Sequence, residues 1–168
     1  MPLAAKQILL NNFLSDVPSI AISSDNVDAD RVSRPQRWSI KDIQRFMVLF
    51  GLISSAFDLM TFAVLLLVVH ADQATFQTSW FIVSLLTELA VVLVLRTHRP
   101  ALRSKPSLLL LWSTIAVIIA TLAIPFLGSL SSVFGFVPLS ALQMGTLVAI
   151  VSGYIAATEA AKLWYYGR

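Results

Sequence analysis

The sequence predicts an all-α fold, an integral membrane bundle of five transmembrane helices, on three observations. Apolar residues make up 57% of the 168 and charged residues only 12%, a balance that points to a bilayer rather than water as the solvent. The apolar residues gather in runs long enough to cross about 30 Å of hydrocarbon at 1.5 Å per residue. The 12 lysines and arginines fall in short stretches between those runs, so the net charge of +3 reports membrane orientation and gives no reason to expect a nucleic-acid partner.

The first span is expected near residues 3–23. Asn12, Ser15 and Asp16 stand there at i, i+3 and i+4, which stacks their oxygens on one helical face. Pro18 has no backbone donor, so the carbonyl of Leu14 loses its partner and the helix is expected to loosen beside Asp16. Free carbonyls, an amide, a hydroxyl and a carboxylate are what a hard cation needs once it leaves water. The following loop, near residues 24–45, holds Arg31, Arg34, Arg37, Lys41 and Arg45. Asp25, Asp28 and Asp30 in this loop do not make a calcium site, because valines occupy ligand positions and neither the turn glycine nor the closing glutamate is present.

The second span is placed near residues 46–69 and the third near 76–95, joined by a loop without lysine or arginine. Each carries one carboxylate at depth, Asp58 with Thr61 at i+3 and Glu88 with Ser84 and Thr87 beside it. An ionisable residue inside a span is a functional-site hypothesis by default, against the plainer reading of a hydrogen-bonded packing residue. Loop residues 96–107 hold Arg96, Arg99, Arg103 and Lys105. The fourth span is expected near 108–127, then a loop around 128–137, then the fifth span near 138–164. In the fifth, Gly145, Ala149, Gly153, Ala157 and Ala161 recur every four residues, a stripe another helix can approach closely. Glu159 and Lys162 read as a surface pair with a snorkelling lysine.

With five crossings the termini lie on opposite sides. The positive-inside rule puts the two basic loops, Lys162 and Arg168 in the cytoplasm and the N-terminus outside, with Lys6 the one exception. There is no cysteine, which removes disulfide and thiolate chemistry. His70 and His98 are loop residues without a second ligand at metal spacing. No secretory signal is expected, since no basic region precedes the first apolar run. No Walker loop, dinucleotide turn or nucleophile elbow occurs.

The segments Leu9-Leu10-Asn11-Asn12-Phe13-Leu14-Ser15-Asp16-Val17-Pro18, Asp25-Asn26-Val27-Asp28 and Arg34-Pro35-Gln36-Arg37-Trp38 resemble the sixth membrane helix and following cytoplasmic loop of P-type cation ATPases, most closely the magnesium-transporting group. Phe50-Gly51-Leu52-Ile53-Ser54-Ser55-Ala56-Phe57-Asp58 resembles the seventh helix of that family, and Phe76-Gln77-Thr78-Ser79-Trp80-Phe81 with Arg96-Thr97 the eighth. The resemblance implies that Asn12, Ser15 and Asp16 match sixth-helix ion-site positions. It also implies that Glu88 falls where calcium pumps supply a ligand and magnesium transporters commonly carry a glutamine.

The same resemblance implies what else is needed. Members couple ATP hydrolysis to cation movement through an Asp-Lys-Thr-Gly segment, a nucleotide domain and an actuator domain, none of which these residues contain. The expected role is therefore the C-terminal membrane portion of a magnesium pump in the plasma (inner) membrane, either a separately encoded half or a fragment. Mg2+ is the expected transported ion, the N-terminal part of the pump and the lipid bilayer are the expected partners, and no ATP site is expected in this chain. The alternative from another class is a non-catalytic membrane partner of a complete pump, docking through the small-residue stripe.

Overall fold

The computed structural model describes residues 3–25, 39–97, 100–101 and 104–166, and within them all regular structure is helical. Arg31, Arg34, Arg37, Arg99, Arg103, Arg168, His98, Asp28 and Asp30, which figured in the orientation and metal arguments, lie outside the described residues. In chain order the helices are α1 (Ala5–Ala21), α2 (Ile40–Ala63), α3 (Gln73–Leu95), α4 (Leu108–Ala123), α5 (Gly128–Phe134) and α6 (Ala141–Tyr166). A π turn, Val64–Val68, extends α2, and 3-10 turns follow α1 at Ile22–Ser24 and α4 at Ile124–Phe126.

The helix starts are set by local chemistry. Ser39, Asp72 and Ser107 each accept a hydrogen bond from the backbone amide three residues on, at 3.4, 3.2 and 3.2 Å, which satisfies a first-turn donor at the head of α2, α3 and α4. The Ser39 cap starts α2 six residues before the expected boundary, so part of the expected first loop is helical. The Thr75 hydroxyl and amide hold the Asp72 carboxyl below its ordinary pKa. That contribution to α3 is complete above the ordinary carboxylate range and is lost as pH falls through the depressed value.

Residues 128–137, expected as loop, contain α5 instead. Gly135 at φ 74° ends it, with the Phe136 amide on the Ser131 carbonyl at 2.9 Å and the Gly135 amide on Ser132 at 3.2 Å, the 6→1 and 5→2 bonds of a Schellman stop. Pro138 then keeps its neighbour extended, so α6 begins at Ala141 rather than at 138.

Among the described residues four helices are long and apolar enough to cross a membrane: Ile40–Val68, Gln73–Leu95, Leu108–Phe126 and Ala141–Tyr166. The expected count of five is not reached by this measure. The reason lies in α1, whose 17 residues rise only about 26 Å and include Lys6, Gln7, Asn11, Asn12 and Asp16.

Helix α3 is the centre. It buries residues all round, among them Phe76, Phe81, Ile82, Leu85 and Leu89, the mark of a helix with neighbours on every side. The main neighbour is α6, which turns Leu147, Ile150, Val151, Tyr154, Thr158 and Lys162 inward. Helix α1 packs on α4 and α3, and α2 lies at the edge against α6. The small-residue stripe is therefore not the main packing face of α6. It meets α2 at Gly153, where an added Cβ would lie 3.5 Å from the Phe57 ring, while Gly145 stands open.

Two polar clusters close the ends of the bundle. At one, Asp25 takes Arg96 Nη1 at 2.8 Å and the Ser107 amide at 2.8 Å, Arg96 Nη2 also donates to the Ser104 carbonyl, and the Tyr165 hydroxyl reaches the Asp42 carbonyl at 2.7 Å. At the other, Lys6 donates to the Val133 carbonyl, Gln7 to Phe134 at 3.1 Å, and the Val137 amide to Thr78 at 3.1 Å. Asp25→Asn keeps the size of the side chain but removes its charge beside a guanidinium only 4% exposed. It is expected to cost about 2 kcal/mol, the scale of a charged hydrogen bond, read as a lower midpoint in thermal unfolding of the detergent-solubilised chain.

The expected surface pair of Glu159 and Lys162 is corrected by this geometry. Lys162 is 0% exposed, its Nζ lies 2.9 Å from Glu159 and donates to the Val94 carbonyl at 3.0 Å, and Glu159 accepts the Ala101 amide at 2.9 Å. Helix α3 covers the position from which a lysine would otherwise reach water.

Candidate functional site

Helix α1 places the three residues of the expected cation group differently from one another. It packs through Gln7, Asn11, Ser15, Pro18 and Ala21, so Ser15 is buried while Asn12 and Asp16 are exposed on the flank. The Ser15 hydroxyl donates to the Asn12 carbonyl at 3.1 Å. It thus turns back along its own helix, and the single oxygen-lined face of the sequence argument is divided. The helix also does not open at Pro18. It runs on to Ala21, and Pro18 is itself one of its buried residues. What the proline does remove is the amide that would cap the Leu14 carbonyl.

Asn12 and Asp16 are one turn apart on the same exposed flank, so a cation could meet both. Among the described residues no three of His, Cys, Asp and Glu come together as a metal-holding group. The α1 pair alone is therefore sparse, with one carboxylate and one amide.

Asp58 and Glu88 are brought together. They line one cavity of about 260 Å3 between α2, α3 and α6, with Ser54, Thr61, Ser84, Thr87 and Tyr154 as its hydroxyl groups. Sequence reading gave Asp58 no polar company beyond Thr61, because its other companions arrive on α3 and α6. Glu88 also faces α1: the Asn11 amide nitrogen lies 3.5 Å from Glu88 Oε2. Asn11 was not singled out from the sequence. The signal was present in Gln7, Asn11 and Ser15, polar at i, i+4 and i+8, which is the buried stripe of α1 rather than its exposed one.

Residues 1–164 match the family described as Cation transporting ATPase, C-terminus. The chain is 39% identical over 176 aligned residues to the Magnesium-transporting ATPase, P-type 1, of Escherichia coli strain K12. It is 37% identical over 176 residues to the protein of that description in Salmonella typhimurium strain LT2, and 33% over 173 residues to a second one there. Each comparison takes in 100% of this chain and 19% of the relative, so the chain spans about a fifth of the length of the curated relatives it matches.

Proposed function

The chain belongs to the cation-transporting ATPase C-terminal family, and on that premise we propose that it is the C-terminal membrane portion of a magnesium-transporting P-type ATPase of the plasma (inner) membrane. Its part in transport is to supply cation ligands, Asp16 and Asn12 first, with Ser15 shaping the turn between them. ATP is handled by the N-terminal part of the pump, which is also the partner that completes the site. Mg2+ as cargo fits a donor set this thin, since Mg2+ gives up water reluctantly and takes one or two carboxylates with the rest of its shell retained.

The observation that carries this reading is the exposed flank of α1. Asp16 and Asn12 are exposed on α1, off the face that packs on α3 and α4, and lipid is a costly neighbour for a carboxylate. A further helix, or a hydrated space between helices, removes that cost. The alternative of a non-catalytic partner rested on the α6 stripe, part of which Phe57 already occupies.

We also read α1 as a fifth crossing. Its N-terminal end shares the cluster of Val133 and Phe134, and the Asp25 that follows it shares the cluster of Arg96 and Ser107. It thus runs between the same two ends as α3 and α4, and neighbouring helices can shelter the polar residues that lipid would not. Lys41, Arg45, Arg96, Lys105 and Lys162 lie toward the Asp25 end, which the positive-inside rule makes cytoplasmic and leaves the N-terminus external. The chain has no native thiol, so single cysteines report this directly. A cysteine at Gln73 is expected to react with an impermeant reagent in intact cells and one at Lys105 only after permeabilisation; the reverse pattern overturns the orientation. The assignment itself is tested by co-expressing the chain with the N-terminal portion of a magnesium pump. Co-purification through membrane extraction is expected, and its absence with both pieces in the membrane counts against the reading.

A further inference from the structure

The charge asymmetry of the chain leaves one residue unexplained, Lys6, a lysine at the end read as external. The structure gives it a partner. Lys6 and Gln7, in the first turn of α1, both reach the end of α5: Lys6 Nζ donates to the Val133 carbonyl, and Gln7 Nε2 to the Phe134 carbonyl at 3.1 Å. A lysine in the first turn of α1 stands at the unfavourable end of that helix's dipole. The last carbonyls of α5 are the favourable place for it, being negative and without partners in their own helix. Gln7 is 0% exposed, and both ends of its amide are used, since its Oε1 accepts the Ala4 amide at 2.9 Å. One side chain thus caps the start of α1 and ties it to α5.

The point of attachment is itself firm. Beyond α5 the Ser131 hydroxyl donates to the Phe136 carbonyl at 2.8 Å, and the Val137 amide donates to the Thr78 hydroxyl of α3 at 3.1 Å. The buried Phe136 ring lies 4.6 Å from that of Phe81 on α3, centroid to centroid. Helix α1 is therefore attached to a turn that α3 holds in place. Asn12 and Asp16 follow Gln7 by a rise of about 7.5 and 13.5 Å, along helix that is uninterrupted before Pro18. The Asp25 contacts at the other end act on the same flank only across Pro18 and the 3-10 turn Ile22–Ser24. Between helices in lipid there is no hydrophobic driving force, since the tails are as apolar as leucine, so polar ties count for more in fixing depth and rotation.

We propose that Gln7 is a positioning residue for the ion-bearing flank of α1, with Lys6 as its charged companion. From the turn after α5 the two set the depth at which Asn12 and Asp16 meet the cation. The proposal rests on the pump reading for the role of that flank.

The test has two parts. The chain has no native thiol, so spin labels on cysteines introduced at Phe13, exposed on α1, and at Leu130, exposed on α5, report the geometry of the full chain in lipid nanodiscs. A single narrow distance is expected with Gln7 in place, and a shifted or broadened distribution in Gln7→Met, which keeps the length of the side chain but has no donor. In the pump assembled with its N-terminal portion, Gln7→Met and Lys6→Met are each expected to raise KM for Mg2+ about tenfold, the scale on which groups behind a metal ligand act, with flux at saturating Mg2+ within about twofold. Lys6→Arg, which still offers Val133 a donor, is expected to restore the unmodified KM. Lys162→Met is the control for stability alone, expected to lower maximal flux through the amount of pump and to leave KM unchanged. An unchanged KM in Gln7→Met, or one that Lys162→Met raises as far, overturns the positioning role, and so does a Phe13 to Leu130 distance that Gln7→Met leaves unaltered. A distance that depends on Gln7 in a chain that supports no magnesium flux in any assembly keeps the tie and removes the pump reading.

Discussion

Asp16→Ala is expected to abolish magnesium flux by the assembled pump while leaving membrane insertion and the helical fold intact. The side chain is exposed on α1 and makes none of the contacts that hold α1 to α3 and α4, so its removal does not disturb packing. Its cost falls on the bound ion. Taking one partner from a desolvated charge contact costs about 3–5 kcal/mol, which is roughly a hundredfold or more in affinity. Asp16→Asn separates charge from shape, because the amide keeps the size and an oxygen but loses the negative charge; it is expected to lose nearly as much as alanine. Asp42→Asn is the matched control, an exposed acid at the head of α2 whose backbone carbonyl, not its carboxylate, holds Tyr165. Flux at the unmodified rate in Asp16→Ala would make Asp16 a bystander and move the transport site toward Asp58 and Glu88.

The largest expected loss of stability comes from Lys162→Met. The methionine fills nearly the same space, but Glu159 loses the Lys162 cation while keeping the Ala101 amide, and the Val94 carbonyl loses its Lys162 donor. Breaking one side of a buried pair costs about 3–5 kcal/mol, since the remaining charge stays desolvated. Glu159→Gln combined with Lys162→Met is expected to recover part of that, because no unpaired charge remains. Thermal unfolding of the two variants in the same detergent reads the difference. A double variant less stable than Lys162→Met alone would show that the pair is not coupled. Glu159 is for the same reason unsuitable as a neutral control for transport.

The all-helical class and the four long apolar helices α2, α3, α4 and α6 were legible because apolar run length is a local property. Their boundaries moved where capping decided them, at Ser39 for α2 and Pro138 for α6. Helix α5 was missed because its seven residues, Gly-Ser-Leu-Ser-Ser-Val-Phe, are too few to carry a readable period. Within the site, Asp16 and Asn12 were legible as a pair because they are one turn apart on one helix. The division of Ser15 from them was not, because burial on α1 is decided by where α3 and α4 press against it. Asp58 and Glu88 belong to different helices, and only their packing around α6 turns two isolated carboxylates into one cavity. Lys162 misled for a related reason: a lysine near a helix end usually reaches water, and the cover that prevents it here comes from α3.

The central claim is that this chain completes the ion path of a magnesium pump. The most direct measurement is ATP-driven Mg2+ movement across sealed inner-membrane vesicles containing the N-terminal portion of the pump, with and without this chain, followed by a trapped Mg2+ indicator. The account predicts ATP-dependent flux only when both parts are present, and its loss when the chain carries Asp16→Ala. Equal flux from the N-terminal portion alone, or none after verified co-assembly of the two, would contradict it.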